Sequence, residues 1–447
     1  MAFSTANTTT VAGSGQTAAN VPTNKGAMAM ITTLFFMWGF ITCLNDILVP
    51  HLRSIFNLNY AEGMLVQFLF FSGYVIFAFP SSKIVERIGY KRTMIAGLLV
   101  MAVGCLIFLP AASALSFPLF LGALIVLSAG ITALQVSANP YVSVLGPPRT
   151  ASSRLNLTQA FNSLGTTTAP YFGGFLILTA AAPKTIDQLK QMTAPAVEAY
   201  KLQQASSVKL PYILLTIVLV LLAGTIALYR LPVISGVEDE SAKEELRSGH
   251  AGSVWQQRHL ILGVIGIFLY VGAEVAIGSF LVNYFTLPKI GNLSVQTAAY
   301  FVSFYWGSMM VGRFIGSALL QKLPSGAVVG TVGIAAFLLV CTSILSTGHL
   351  AMWSIILVGL FNSIMFPSIF TLGIAQLGPL TSEGSGLLVA AIVGGAVIPE
   401  LEGVLADHIG IQLAFIVPAI CYLYIMYYGF RGSWPRTNVP THALAQS

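Results

Sequence analysis

Residues 62–112 read EGMLVQFLFFSGYVIFAFPSSKIVERIGYKRTMIAGLLVMAVGCLIFLPAA. Two apolar runs, 62–82 and 93–112, flank a turn from Ser82 to Arg92 that carries every charge of the stretch except Glu62. A helix needs about 20 apolar residues to cross roughly 30 Å of hydrocarbon. The stretch therefore reads as two membrane-crossing helices joined by a short charged turn, with Gly89 supplying the freedom that such a turn requires.

The same pattern repeats along the chain. Of 447 residues 8% are charged and 56% apolar, whereas a soluble protein carries about 25% charge. Further spans are expected at 27–50, 116–142, 154–180 and 210–232, then at 258–286, 296–320, 326–346, 350–377, 385–405 and 410–430. The expected fold class is an all-α integral membrane protein of twelve transmembrane helices in two pseudo-symmetric six-helix bundles, 25–232 and 258–430. The most charged stretch, GVEDESAKEELRSGH, lies in the linker 233–257 between them. Residues 1–24 and 431–447 read as cytoplasmic tails, the first of them disordered, and 181–209 as a partly helical outer loop. Cys43, Cys105, Cys341 and Cys421 each fall inside a span, without metal-binding or disulfide spacing.

A cytoplasmic start places 15 of the 21 Lys and Arg residues on the cytoplasmic side, as the positive-inside rule requires. Both termini are thus expected in the cytoplasm. The net charge of +6 follows from this bias and does not indicate nucleic acid.

The halves also share a pattern. NPYVSVLGP ends span four (139–147) and FPSIFTLGIAQLGP lies in span ten (366–379). Pro170, Gly174 and Leu176 have the spacing of Pro399, Gly403 and Leu405. Paired halves joined by a polar loop are a common plan of secondary transporters, with a solute site at mid-membrane between them.

The turn Ser82-Lys-Ile-Val-Glu-Arg-Ile-Gly-Tyr-Lys-Arg92 resembles the loop signature of the major facilitator superfamily, with Ser82 where Gly is usual and a degraded copy around Gly316 to Gly326. The resemblance implies a cytoplasmic gating latch built from Glu86, Arg87, Gly89, Lys91 and Arg92. Longer motifs narrow it: MWGFITCLNDILVPHL (37–52), SANPYVSVLGP (137–147), SRLNLTQAFNSLGT (153–166), YVGAEVAIGSFLVNY (270–284) and GLLVAAIVGGAVIP (386–399). These resemble the bacterial fucose-galactose-glucose:proton symporter family over nearly the whole chain. The resemblance implies a multi-pass protein of the bacterial inner membrane that imports a neutral sugar with a cation.

Polar stripes on apolar spans suit such a solute. Trp38, Thr42 and Asn45 share a face of span one, Gln135 and Asn139 of span four, and Gln159, Asn162 and Thr166 of span five. Glu274 and Asn283 of span seven and Asn362 of span ten complete the candidate substrate-binding set. Amides donate and accept hydrogen bonds as sugar hydroxyls do, and an indole offers a flat apolar face to a sugar ring. The alternative is that these groups join helix to helix. Glu400 and Glu402 follow Pro399 and read as residues of the outer interface.

Asp46 is the candidate for cation coupling, because a carboxylate within a span is expensive and usually kept for a proton or cation. In the fucose branch that the chain resembles, a second carboxylate stands at the place of Gln135. The coupling cation is therefore left as proton or sodium, the latter near Asp46. No cofactor and no metal is expected, and a monomer in the lipid bilayer would suffice. No Walker loop, HExxH or GxSxG occurs, so neither an ATP-driven pump nor a membrane hydrolase is indicated and no enzyme is expected. A sugar-binding sensor that does not transport is the reading from another class.

Overall fold

The computed structural model describes residues 23–56, 60–173, 192–206, 209–232 and 253–435, with the helical path alone for 44–56, 60–67 and 170–173. Among the described residues there is no β-strand. The helices are α1 (Lys25–Phe56), α2 (Tyr60–Ser113), α3 (Phe117–Val144), α4 (Ala151–Gly173), α5 (Ala194–Ser206) and α6 (Lys209–Leu228). After the linker come α7 (Arg258–Thr286), α8 (Val295–Leu319), α9 (Ser325–Leu345), α10 (Gly348–Asn362), α11 (Met365–Gly373), α12 (Thr381–Ala390), α13 (Gly394–Ile409), α14 (Ile411–Ala414) and α15 (Ile416–Tyr427). The twelve expected spans correspond to α1, the two limbs of α2, α3, α4, α6, α7, α8, α9, α10 with α11, α12 with α13, and α14 with α15. α5 lies in the expected outer loop.

Local chemistry explains where the helices bend. α2 is continuous in hydrogen bonding but reverses at Gly89, whose φ of 80° and ψ of 169° lie where a side chain is strained. The tenth span breaks at Ser363 and Ile364, and the eleventh passes through a 3₁₀ turn at Ala391–Val393. Apolar run length predicts each of these two as a single span, at 350–377 and 385–405. Neither contains a proline at the break, so periodicity alone gave no sign of it.

Glycines set the closest helix approaches and display the repeat. A methyl on Gly165 of α4 would fall on the backbone carbonyl of Phe36 in α1. A methyl on Gly394 of α13 would fall on that of Phe268 in α7. Gly39 and Gly272, on the facing helices, are closed in the same way by Asn162 and by Ile398. Lipid supplies no hydrophobic drive to helix association, so such backbone approach carries the packing instead. Gly165 and Gly394 are separated by the same offset as Pro170 and Pro399, and the repeat seen in sequence thus marks equivalent joints.

Among the described residues nine stretches are long and apolar enough to span a bilayer, one of them the 46-residue Phe68–Ser113 that serves as two. Two of the described helices, α4 and α8, lie outside this set. They pack against each other, α4 also meets α11, and α2 and α3 meet α12. A polar helix is tolerated in a membrane where it faces protein or water. The two polar helices α4 and α8 thus face each other on the seam between the halves.

Arg154 illustrates how one corner is held. It is buried, and its guanidinium donates to the carbonyls of Val142 (3.1 Å), Ser143 (2.5 Å), Gly146 (3.2 Å) and Pro147 (2.9 Å) and to the Thr150 hydroxyl (2.7 Å). The carbonyls of Val142 and Ser143 belong to the last turn of α3, and those of Gly146 and Pro147 to the turn that leads into α4. Arg154→Met is expected to destabilise the protein by about 3 kcal/mol, since buried carbonyls lose charged donors. The check is a lowered thermal midpoint in detergent; an unchanged midpoint would show that the corner holds without the guanidinium.

Candidate functional site

The seam is tightest at the end that carries the Gly89 turn. Ser152 Oγ lies 2.5 Å from Thr371 Oγ1, and Ser153 donates to the Ser317 carbonyl at 2.6 Å while Ser317 returns a bond to the Ser153 carbonyl at 3.1 Å. Further along α4, Arg313 of α8 donates to the Gln159 carbonyl (3.2 Å) and to the Ser163 hydroxyl. Phe161 and Phe314 pack edge to face between these pairs, with ring centres 6.1 Å apart. Thr167 reaches the Met310 sulfur at 3.7 Å. From Ser152 to Thr167 the zipped length is about 22 Å, at 1.5 Å per helical residue.

The second contact line joins α2 to the eleventh span. Tyr90 and Ser382 hydroxyls are 3.4 Å apart. A Cβ on Gly386 would stand 3.1 Å from that of Ser82, and one on Gly395 would stand 2.9 Å from the Phe71 ring. Ser82, in the place usual for Gly in the loop signature, is thus a small residue against a glycine. Glu86 pairs with Lys83 of its own helix at 3.1 Å, Lys91 donates to the Ala227 carbonyl at the end of α6 at 2.8 Å, and Arg87 and Arg92 are exposed. At this turn it is Tyr90 that crosses between halves, a residue the sequence reading passed over.

The candidate substrate residues fall into separate groups. Gln135 and Asn139 of α3 are buried, and Gln135 Oε1 and both side-chain polar atoms of Asn139 have no hydrogen-bond partner. Gln159 and Ser163 are buried at the Arg313 contact. Asn162 donates to the Phe35 carbonyl at 2.9 Å and so ties α4 to α1. Trp38 is buried against Phe35, ring centres 5.3 Å apart, and Thr42 and Thr166 bond to carbonyls of their own helices. Asn45 and Asp46 lie on α1 outside the described side chains.

Across the seam, Asn362 of α10 is fully buried and donates to the Tyr305 hydroxyl at 3.0 Å, leaving its Oδ1 without a partner. Tyr305 in turn donates to the Glu274 carbonyl at 3.3 Å. The half-buried Glu274 carboxyl neighbours the Tyr270 hydroxyl and the Arg313 guanidinium. Asn283 is exposed at the far end of α7, away from this group. Glu400 is exposed, as a residue of the outer interface would be, but Glu402 is fully buried. The correction has a simple cause: α13 continues to Ile409, so Glu402 sits about 10 Å inside its end, at seven residues of 1.5 Å each.

The arrangement holds uncharged donors and acceptors, some of them unpartnered, on both sides of a seam that is closed at one end. It contains no activated nucleophile with a base, and among the described residues no cluster of His, Cys, Asp and Glu that could hold a metal. Its chemistry is that of reversible binding to a neutral hydroxylated molecule.

Comparison with known proteins agrees in class. The family model described as Major Facilitator Superfamily matches residues 29–391. The chain is 52% identical over 407 residues to a glucose/galactose transporter of Brucella abortus biovar 1 (strain 9-941), covering 91% of this chain and 94% of that one. It is 33% identical over 414 residues to the L-fucose-proton symporter of Escherichia coli (strain K12), covering 92% and 94%. A crystal structure of the same Escherichia coli symporter in the outward conformation superposes with a TM-score of 0.83 at 32% identity, covering 90% of this chain and 97% of that one.

Proposed function

Because the chain belongs to the major facilitator superfamily, we propose that it is a secondary active transporter that imports a neutral hexose together with a proton by alternating access. The observation that carries this reading is the seam: polar α4 faces polar α8, zipped at the basic turn, with unpartnered amide atoms of Gln135, Asn139 and Asn362 on its two sides. The relatives named for glucose, galactose and fucose support a hexose as the solute, and the symporter among them supports the proton. In the bilayer, the bundles are 25–232 and 258–430, the linker 233–257 is cytoplasmic, and both tails, 1–24 and 431–447, lie on the cytoplasmic side of the inner membrane. A single chain suffices as the working unit.

Import then proceeds by moving the seal. Sugar enters from the side opposite the Gly89 turn and engages the free amides of α3 and α10. The contacts Ser152 to Thr371, Ser153 to Ser317 and Tyr90 to Ser382 break to release it on the other side. Each is a hydrogen bond between neutral groups, with a net contribution of about 0.5–1.5 kcal/mol. A few such bonds hold a gate without locking it. The basic end is the cytoplasmic one in this reading, since Lys83, Arg87, Lys91 and Arg92 gather there.

The test is uptake of labelled glucose, galactose, fucose and N-acetylglucosamine into proteoliposomes under an imposed proton gradient, and separately under a sodium gradient. Accumulation driven by the proton gradient supports the proposal. Accumulation by sodium alone assigns the other cation, and binding with no accumulation under either gradient sinks transport altogether.

Among the described residues, Arg313 is the charged donor that crosses the seam to α4. Arg313→Gln is expected to shift the protein toward the state open at the Gly89 end by about tenfold or more, from the 1.5–3 kcal/mol of a charged hydrogen bond. A thiol introduced by Thr371→Cys should react correspondingly faster with a polar maleimide in that background. An unchanged rate would remove Arg313 from the gate.

A further inference from the structure

Glu402 is a carboxyl in the middle of the C-terminal bundle that nothing in the gate or the sugar site uses. It is fully buried, and neither of its oxygens has a hydrogen-bond partner. Its helix, α13, packs on α7 and α14 and touches α2 and α15. The titratable groups that face it are the Tyr305 hydroxyl of α8 and the Cys421 thiol of α15. α7 brings Tyr270 and Glu274 to the other side of Tyr305, α14 carries only Ile411, Gln412, Leu413 and Ala414, and α2 brings the Phe71 ring. The ion pair recorded among the described residues is elsewhere, between Lys83 and Glu86.

An ionised carboxylate buried without a cation or a donor is among the most unfavourable arrangements in a protein, and a group so placed neutralises instead. The surroundings also contain a route. Tyr422 Oη and Asn362 Oδ1 are buried beside Tyr305 and neighbour each other, Tyr305 is bonded to Asn362 and to the backbone of Glu274, and Glu274 neighbours Arg313, which crosses the seam. Ionisable and hydroxyl groups therefore stand between Glu402 and the surface that must open, and none of them bonds to Glu402 while the seam is closed. The eleventh span also breaks at Ala391–Val393, about two and a half turns before Glu402, and gives α13 a joint about which to move.

We infer that Glu402 is a proton-binding site of the C-terminal bundle, protonated while the seam is closed and exchanging its proton through Tyr305 and Glu274 as the seam opens. No covalent chemistry is involved: the proton passes between carboxyl oxygen, hydroxyl and water, and returns on the next cycle. Gln135 cannot titrate, so this carboxyl gives the chain a second proton site beside Asp46. The inference rests on the reading of the chain as a proton-coupled carrier.

Its test does not depend on transport. Infrared difference spectra of the full-length protein in lipid, recorded as pH is raised, should show the carbonyl stretch of a protonated carboxyl disappearing, and Glu402→Gln should lose that band. Tyr305→Phe should keep the band but slow its shift on transfer to deuterated water. The same band in wild type and Glu402→Gln, or a Glu402 band that responds to sodium and not to pH, overturns the assignment. So does exchange at the wild-type rate in Tyr305→Phe. In proteoliposomes, Glu402→Gln should retain sugar exchange while losing the wild-type pH profile of uptake, and a wild-type profile counts against the proposal. Failure of all sugar uptake in the wild type, with the band present, would overturn the transport reading and leave the proton site standing.

Discussion

Asp46→Asn is expected to abolish accumulation of sugar against a gradient while leaving exchange of sugar across the membrane in place. In the wild type, a gradient of about two pH units supplies about 2.7 kcal/mol per proton, which supports about 100-fold accumulation at one proton per sugar. Without the titrating carboxyl the gradient does no work on the sugar, and the ratio of inner to outer concentration should fall to about one. Asp46 stands on α1 seven residues beyond Gly39, about 10 Å further from the Gly89 end. That places it above the joint where α1 and α4 touch. The measurement is paired: concentrative uptake under an imposed proton gradient, and counterflow in preloaded vesicles with no gradient. Normal accumulation in Asp46→Asn would remove this residue from coupling and leave Glu402 as the candidate.

Gly165→Val and Gly394→Val should each lower the yield of folded protein severely. The added carbons meet backbone carbonyls, of Phe36 and Phe268 respectively, and backbone cannot rotate out of the way as a side chain can. Overpacking of this kind costs about 3 kcal/mol, and the paired helices would have to separate along their length. Gly224→Ala and Gly307→Ala are the controls, because a methyl at either meets nothing within 4 Å. These are expected to be neutral or to stabilise by up to about 1 kcal/mol, the usual gain of Ala over Gly within a helix. Monodispersity on size exclusion after solubilisation reads the difference. A folded, active Gly394→Val would show that the α7 to α13 contact is looser than the packing indicates.

How much of this was legible in the sequence depended on which physical signal carried it. Apolar run length located the spans closely: the seventh was expected at 258–286 and α7 is Arg258–Thr286. Charge marked the turn at Gly89, and a shared offset of Gly and Pro marked equivalent joints in the two halves. The polar stripes were harder to read. Spacing shows that Trp38, Thr42 and Asn45 share a face, but it does not show that Thr42 bonds to the carbonyl of Trp38 one turn back. Serine and threonine in helices commonly do so. Asn162 likewise looked like a ligand for solute, and one of its donors is instead spoken for by Phe35.

Glu402 was placed at the interface, and Tyr305 passed over, for a related reason. Glu402 follows a proline, and a proline is a reasonable sign of a helix end. Pro399 nevertheless lies within α13, which runs on to the positive-φ Gly410. Tyr305 sits in an apolar run where a tyrosine is unremarkable, and its importance comes from Asn362 and Glu274, which are far away in sequence. Only the fold brings these together.

The polar character of α4 and α8 has a consequence for how the chain is made. α4 leaves the ribosome 144 residues before α8, counting from Ala151 to Val295, and α8 is the helix that later covers its polar face. A segment so rich in hydroxyls and amides partitions weakly into lipid by itself. The helices made before it meet it at two places, α1 at the Gly39 and Gly165 contact and α3 at the Arg154 corner. Those two joints are therefore expected to hold α4 during insertion, before α8 exists to cover it. The surface built to open is one that the cell must first keep covered.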